Sequence, residues 1–243
     1  MNQRLLHWLC LWGGCIGPHL ALAQEADPEA WAFKLTPSVY NNRNAPQATD
    51  LNLRANLGPH ALWLAQYRQA GFGEQTRTGY EYTASPDWGQ VVYSAQAAER
   101  GFAGAAITAQ FGHALYGIAG WGRTNLRTYY NLNFDPNDAI TLGIGGWWGQ
   151  QHQISLYRIQ DDRLHTGQRV THLVWRYHPD SQHRLTLDVA NKRGRSDAEG
   201  PWLQGHSISL TWDWHRYFVR AAIDQQVNFT DDTQTRLSLG WRF

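Results

Sequence analysis

The chain closes on Thr233-Gln-Thr-Arg-Leu-Ser-Leu-Gly-Trp-Arg-Phe243. Leu237, Leu239, Trp241 and Phe243 fall on one side, and Arg236, Ser238, Gly240 and Arg242 on the other. A period of two is the mark of a β-strand with one apolar and one polar face. Working back along the chain, the same pattern recurs. Tyr217, Val219, Ala221 and Ile223 oppose Arg220, Ala222 and Asp224. Ile208, Leu210, Trp212 and Trp214 oppose Ser207, Ser209, Thr211 and Asp213. Leu185, Leu187 and Val189 oppose Arg184, Thr186 and Asp188, while Leu51, Leu53 and Leu57 oppose Asn52, Arg54 and Asn56. Each run is about ten residues long, the length a tilted strand needs to cross a bilayer. Gly58-Pro59, Ser85-Pro86-Asp87, Asp135-Pro136-Asn137-Asp138 and Pro179-Asp180-Ser181 punctuate them as turns.

The first residues obey another rule. Arg4 precedes an apolar stretch from Leu5 to Leu22, and Ala21-Leu22-Ala23 has the small-x-small pattern of an export cleavage site. Residues 1–23 therefore read as a signal peptide cut after Ala23, residues 24–30 as a short periplasmic segment, and residues 31–243 as one domain. Both cysteines, Cys10 and Cys15, lie in the removed part. The mature chain has no thiol for a disulfide or a metal.

Only 17% of the 243 residues are charged, the formal charge is +1, and Trp alone occurs 13 times. Mean hydropathy is −0.53. That excludes a helical membrane protein, a disordered chain and a nucleic-acid binder working by bulk basic charge. A soluble β-sandwich also alternates, but it turns its apolar face inward. Here Trp and Tyr cluster near the ends of the apolar faces, as interfacial belts do, and the polar faces carry Arg, Asp, Asn and Ser with little Lys. The pattern predicts an antiparallel transmembrane β-barrel in the outer membrane.

The C-terminal strand resembles the insertion signal of bacterial outer-membrane β-barrel proteins, an alternating strand ending in an aromatic, here with Trp241 and Phe243. The general pattern of the mature chain resembles small exported barrels of the YaiO type. The resemblance implies passage through the periplasm, recognition by the barrel-assembly machinery, and a surround of outer-membrane lipid and lipopolysaccharide. It carries no functional residue and no cofactor. Candidate strands fall near 31–40, 49–57, 60–69, 76–84, 89–98, 101–111, 113–122, 126–134, 138–147, 151–160, 168–177, 183–192, 203–213, 216–226 and 233–243. An even number is required, so one is wrong, and the conflict lies across 98–151, where Gly143-Ile-Gly-Gly146 blurs the alternation. Twelve strands are preferred, with fourteen as the alternative.

Parity places Lys34, Arg54, Arg184, Asp188, Arg220, Asp224, Arg236 and Arg242 toward the lumen. Their positive excess would favour anions if the lumen is open. If it is filled by its own side chains, Arg–Asp pairs would brace the wall. The last hairpin is expected to pair 216–226 with 233–243, placing Asp224 opposite Arg236. Other chemistry is thinner. His206-Ser207 looks like half of a hydrolase, but adjacent strand residues point to opposite faces. Asp161-Asp162, with Arg163 and His165, reads as a solvated outer loop, or one that holds a divalent ion or bridges lipopolysaccharide phosphates. His178, His183 and His215 lie at turns without metal-site spacing. The polar and aromatic stretch 123–133 fits a lumen strand or a sugar contact. The functional expectation is a non-enzymatic barrel with a structural, envelope-maintenance or narrow-channel role, a porin among them. The alternatives are an outer-leaflet lipid hydrolase and a surface adhesin.

Overall fold

The computed structural model describes residues 30–132 and 134–243, with a two-residue antiparallel pairing of Leu9–Cys10 and Gly17–Pro18. The remainder of the export segment 1–23, its cleavage site, and most of the segment 24–30 lie outside the described residues. From Ala32 the chain forms one closed antiparallel barrel of fourteen strands. The first seven are β1 (Ala32–Asn42), β2 (Ala48–Leu57), β3 (His60–Gln69), β4 (Gly73–Ala84), β5 (Gly89–Ala98), β6 (Phe102–Gly112) and β7 (Leu115–Thr124). The second seven are β8 (Ala139–Trp148), β9 (His152–Asp161), β10 (Arg169–Tyr177), β11 (His183–Gly194), β12 (Leu203–Trp214), β13 (Tyr217–Gln225) and β14 (Thr233–Arg242). Each strand pairs with its neighbour in sequence, and β14 closes the ring on β1.

Fourteen strands, not the preferred twelve, fit because so little chain is spent on turns. At the end that carries both termini the connections are as short as residues 58–59, 113–114 and 215–216. The surplus fifteenth strand is 126–134. That stretch is a loop, broken from extended geometry by positive φ angles at Leu126 and Phe134. Removing it reconciles the two directions of counting.

The apolar face points outward. Leu237 and Leu239 are 53% and 55% exposed, while Arg236 and Ser238 on the opposite parity are 9% and 3% exposed. Leaving such a continuous band of Leu, Ile and Trp in water is costly at about 25 cal/mol per Å², so the band is the surface that meets hydrocarbon. At the terminal end it is edged by outward aromatics that touch in series, including Trp241–Phe243 at 4.6 Å, Trp212–Trp214 at 5.1 Å and His152–Tyr177 at 4.8 Å between ring centroids. Such girdles sit at membrane interfaces.

The glycines that blur β8 are seats for tyrosines inside the barrel. A Cβ on Gly145 would stand 2.5 Å from the Tyr116 ring, and one on Gly143 would stand 2.3 Å from the Tyr157 Cβ. The final hairpin keeps its predicted faces but shifts by two residues. Asp224 stands opposite Gln234, and Arg236 opposite Ala222. The loop causes the shift. Gln226, Asn228 and Phe229 adopt positive φ, and Val227 N–H donates to the Asp232 carbonyl at 3.1 Å, centring the turn one residue earlier. An even slip preserves inside and outside.

Candidate functional site: a lumen crossed by its longest loop

Fourteen tilted strands about 4.8 Å apart enclose a backbone ring roughly 25 Å across. That is wider than the eight-strand ring whose interior wall side chains suffice to fill. The loop 125–138, between β7 and β8, folds into the lumen.

The loop runs along one wall and then the opposite one. Tyr129 stacks on Phe102 of β6 at 4.1 Å. Tyr130 stacks on Tyr67 of β3 at 4.9 Å and contacts Phe72 at 5.3 Å. Its backbone is gripped at both ends by Gln75 of β4, which accepts from Tyr130 N–H at 3.0 Å and donates to its carbonyl at 3.1 Å. Leu132 joins Tyr40, Ala48 and Tyr67 in a buried cluster. The loop then reaches the far wall, where the Lys192 ammonium lies 5.6 Å from the Phe134 ring. His172 of β10 sits between two carboxylates, Nε2 at 3.1 Å from Asp135 of the loop and Nδ1 at 3.0 Å from Asp188 of β11. Finally Asp138 accepts from the Thr124 hydroxyl at 2.5 Å and pairs with Arg163 at 2.9 Å. Aromatic stacking holds one side and hydrogen-bonded charge the other, so the loop is pinned across the lumen in the half away from the termini.

The wall is braced by buried ion pairs. Arg54 of β2 holds Glu81 of β4 bidentately at 3.0 and 2.6 Å. Arg77 of β4 pairs with Asp50 of β2. Asp213 of β12 is shared by Arg184, at 2.9 Å, and Arg242. In the half nearer the termini the wall carries Lys34, Arg54, Arg176, Arg184, Arg220 and Arg242 against Glu81 and Asp213. Three of these cations converge on one ring: Arg242, Lys34 and Arg220 lie 5.4, 5.8 and 5.8 Å from the Phe218 centroid. Gly240, opposite Phe218, makes room for it, since a Cβ there would stand 1.7 Å from the ring. Toward the loop end three cations, Arg77, Lys192 and Arg236, meet four carboxylates, Asp50, Asp188, Asp224 and the loop's Asp135, with His172 between two of them. The interior is cationic at the terminal end and near neutral where the loop crosses.

The eight residues assigned to the lumen by parity are placed as follows. Arg54, Arg184, Asp188, Asp224 and Arg236 are buried, Arg242 bonds to buried Asp213, Arg220 Nε donates to Thr211 Oγ1 at 3.0 Å, and Lys34 lies over Phe218. Sequence reasoning missed Asp50, Glu81, Arg77, Arg176, Lys192, His172 and Asp213 as members of the same interior. The alternation Gln75, Arg77, Gly79, Glu81, Thr83 against Thr76, Thr78, Tyr80, Tyr82 carries the signal for two of them. Trp241 and Phe243 lie outward at the terminal rim, with Phe243 N–H donating to the Phe33 carbonyl at 3.0 Å.

The other candidates resolve into structure. His206 is exposed on the outer face, and Ser207 points inward, with its register partner Asp224. Asp161 accepts the N–H groups of Arg163, Leu164 and Thr166 at 3.0, 2.7 and 2.8 Å, which makes it the organiser of its own loop. Asp162 pairs with Arg123 at 2.6 Å. His183 bonds to Asp180 in a terminal-end turn, where the Gln182 and His183 N–H groups hold that carboxyl below the usual range. Among the described residues no group of His, Cys, Asp and Glu is arranged to hold a metal. Of the stretch 123–133, residues up to Thr124 belong to β7 and the rest to the lumen loop, and Asn133 lies outside the described residues.

No family model and no curated protein matches the sequence. Solved structures do share the fold. The Acinetobacter baumannii outer membrane protein Omp33 superposes with a TM-score of 0.57 at 10% identity, over 89% of this chain and 100% of its own. A substituted porin of Rh. blastica gives 0.51 at 9% identity, over 88% and 99%. The fold is therefore that of outer-membrane porin barrels.

Proposed function

We propose that the chain is an outer-membrane channel, with the loop end facing outward and the termini in the periplasm, whose passage is narrowed by the inward-folded loop 125–138. The carrying observation is that the loop touches β3 and β4 on one wall and β10 and β11 on the other. The cationic periplasmic half would make small anions the preferred solutes. In planar bilayers the wild-type barrel is expected to show a small conductance with a reversal potential favouring chloride over potassium. Replacing residues 127–134 by a short Gly-Ser linker should raise conductance several-fold. Equal conductance in both forms would remove the loop as the constriction. Silence in both would make the barrel a structural element of the envelope.

The exposed C-terminal pair Trp241 and Phe243 supports a role as the signal read by the assembly machinery. Deleting Phe243 forfeits one partly exposed aromatic contact, under about 3 kcal/mol. It should nonetheless strongly reduce the heat-modifiable, folded protein recovered from outer membranes. Full recovery would assign the pair to packing alone.

A further inference from the structure

The outer face of β9, β10 and β11 carries a feature that channel function does not use. At the loop end, strand register sets two polar rows above the hydrocarbon band. The upper row runs Gln160, Arg169, Arg193, Gln204. The next runs Arg158, Thr171, Asn191, His206, and the third is apolar: Leu156, Leu173, Val189, Ile208. Arg169 and Arg193 are direct cross-strand partners, an arrangement of like charges that destabilises a sheet. Arg158, one strand away and one row down, completes the group. All three are exposed.

Among the described residues no carboxylate neutralises them. Arg158 Nε donates to Thr171 Oγ1 at 3.0 Å, and Arg193 lies 5.2 Å from the Trp202 ring; neither partner is an anion. Three nearby aspartates are committed elsewhere, and no salt bridge joins Glu199, in the same loop as Asp197, to any of the three arginines. Asp161 is wrapped by its own loop, Asp162 is held by Arg123, and Asp197 accepts from Ser196, Glu199 N–H and Gly200 N–H, which hold its carboxyl below the usual range. Among the described residues none of the three arginines has a carboxylate partner. The group spans two strand spacings, about 10 Å, directly above a sheet of Leu, Val and Ile. Guanidinium groups bind phosphate oxygens bidentately, and the apolar rows beneath suit acyl chains.

We propose that Arg158, Arg169 and Arg193 form a docking site for the phosphates of a phosphorylated glycolipid in the outer leaflet, with Trp202 at its upper edge. The orientation rests on the outward loop end inferred above. The full mature chain would be refolded into phosphatidylcholine nanodiscs doped with bis-phosphorylated lipid A, or with the same lipid A stripped of phosphate. Lipid retained per barrel after transfer to detergent would be counted by native mass spectrometry. The wild type should retain the phosphorylated form at least tenfold better than the stripped form. Arg158→Gln/Arg169→Gln/Arg193→Gln should lose that preference, and Arg68→Gln on the other wall should keep it. Equal retention of the two lipids by the wild type overturns the proposal, and needs no variant to fold. So does unchanged preference in the triple variant once heat-modifiability shows it folded. Displacement of the lipid by millimolar inorganic phosphate would reassign the group to a free-anion site and equally overturn it. Conductance of the triple variant should match wild type, so failure of the channel reading leaves this result standing.

Discussion

Two cross-strand pairs at the same end and on the same outer face have opposite character. On β3 and β4, Arg68 stands opposite Glu74 and reaches it at 3.1 Å. On β10 and β11, Arg169 stands opposite Arg193. A rim that only had to be wet would be served by the first arrangement all round. The second keeps a repulsion that a single acidic residue would remove. The difference indicates that one sector of the rim is shaped for contact with something anionic, while another only meets water.

The comparison sharpens when the interior is added. Arg54 and Glu81 also pair, but Glu81 is 2% exposed. An ion pair in water and one inside a wall obey different rules, because desolvation makes the orphaned partner expensive. Arg54→Ala is therefore expected to have the largest effect, destabilising the folded barrel by about 3–5 kcal/mol. Urea unfolding of the protein in lipid vesicles, followed by tryptophan emission, measures it. A loss under about 1 kcal/mol would mean that water reaches Glu81 freely, and the distinction between wall and rim would collapse.

How much of this could be read from the residues differs between the strands and the lumen. β12, β13 and β14 are legible because their lipid faces are unbroken apolar rows, Ile208, Leu210 and Trp212, then Tyr217, Val219, Ala221 and Ile223, then Leu237, Leu239 and Trp241, and bilayer contact leaves no alternative for those positions. β8 was obscured because Gly143 and Gly145 serve cross-strand tyrosines, so a packing requirement replaced the expected polar side chain. Residues 126–134 read as a strand for a related reason. Its alternation of Tyr130, Leu132 and Phe134 with Asn131 and Asn133 is real, but Tyr130 and Leu132 pack on Tyr67 and Phe134 lies against Lys192 inside the barrel instead of facing lipid. Period two reports a segment with two environments, not which environments they are. The clamp of Asp135, His172 and Asp188 joins residues from a loop and two strands, and no local pattern announces it. The basic patch has the same origin. Arg158, Arg169 and Arg193 sit in three separate runs, and only the register of β9, β10 and β11 brings them together.

The smallest expected effect is the one that separates the two rim pairs by sign. Glu74→Gln removes the acid opposite Arg68. Both side chains are more than half exposed, so the loss should be only about 0.2–1 kcal/mol and should fade as salt is raised. Arg193→Gln removes a like charge opposite Arg169. In vesicles of phosphatidylcholine, whose phosphodiester is balanced by its own choline and gives the surface no net charge, this change should stabilise the barrel by a few tenths to about 1 kcal/mol, minus the cation–π contact with Trp202 at an exposed site, worth about 0.5–1 kcal/mol. The net is near zero or slightly stabilising at low salt, and it moves toward destabilising as salt screens the repulsion but not the stacking. Adding bis-phosphorylated lipid A should reverse it outright, because the wild type then gains phosphate contacts that the variant lacks. Paired urea titrations at two salt concentrations, with and without the glycolipid, give the four values. If Arg193→Gln costs as much in plain phosphatidylcholine as it does with the phosphorylated lipid, Arg193 is a packing residue on Trp202, and the contrast between the two sectors of the rim has no bearing on ligands.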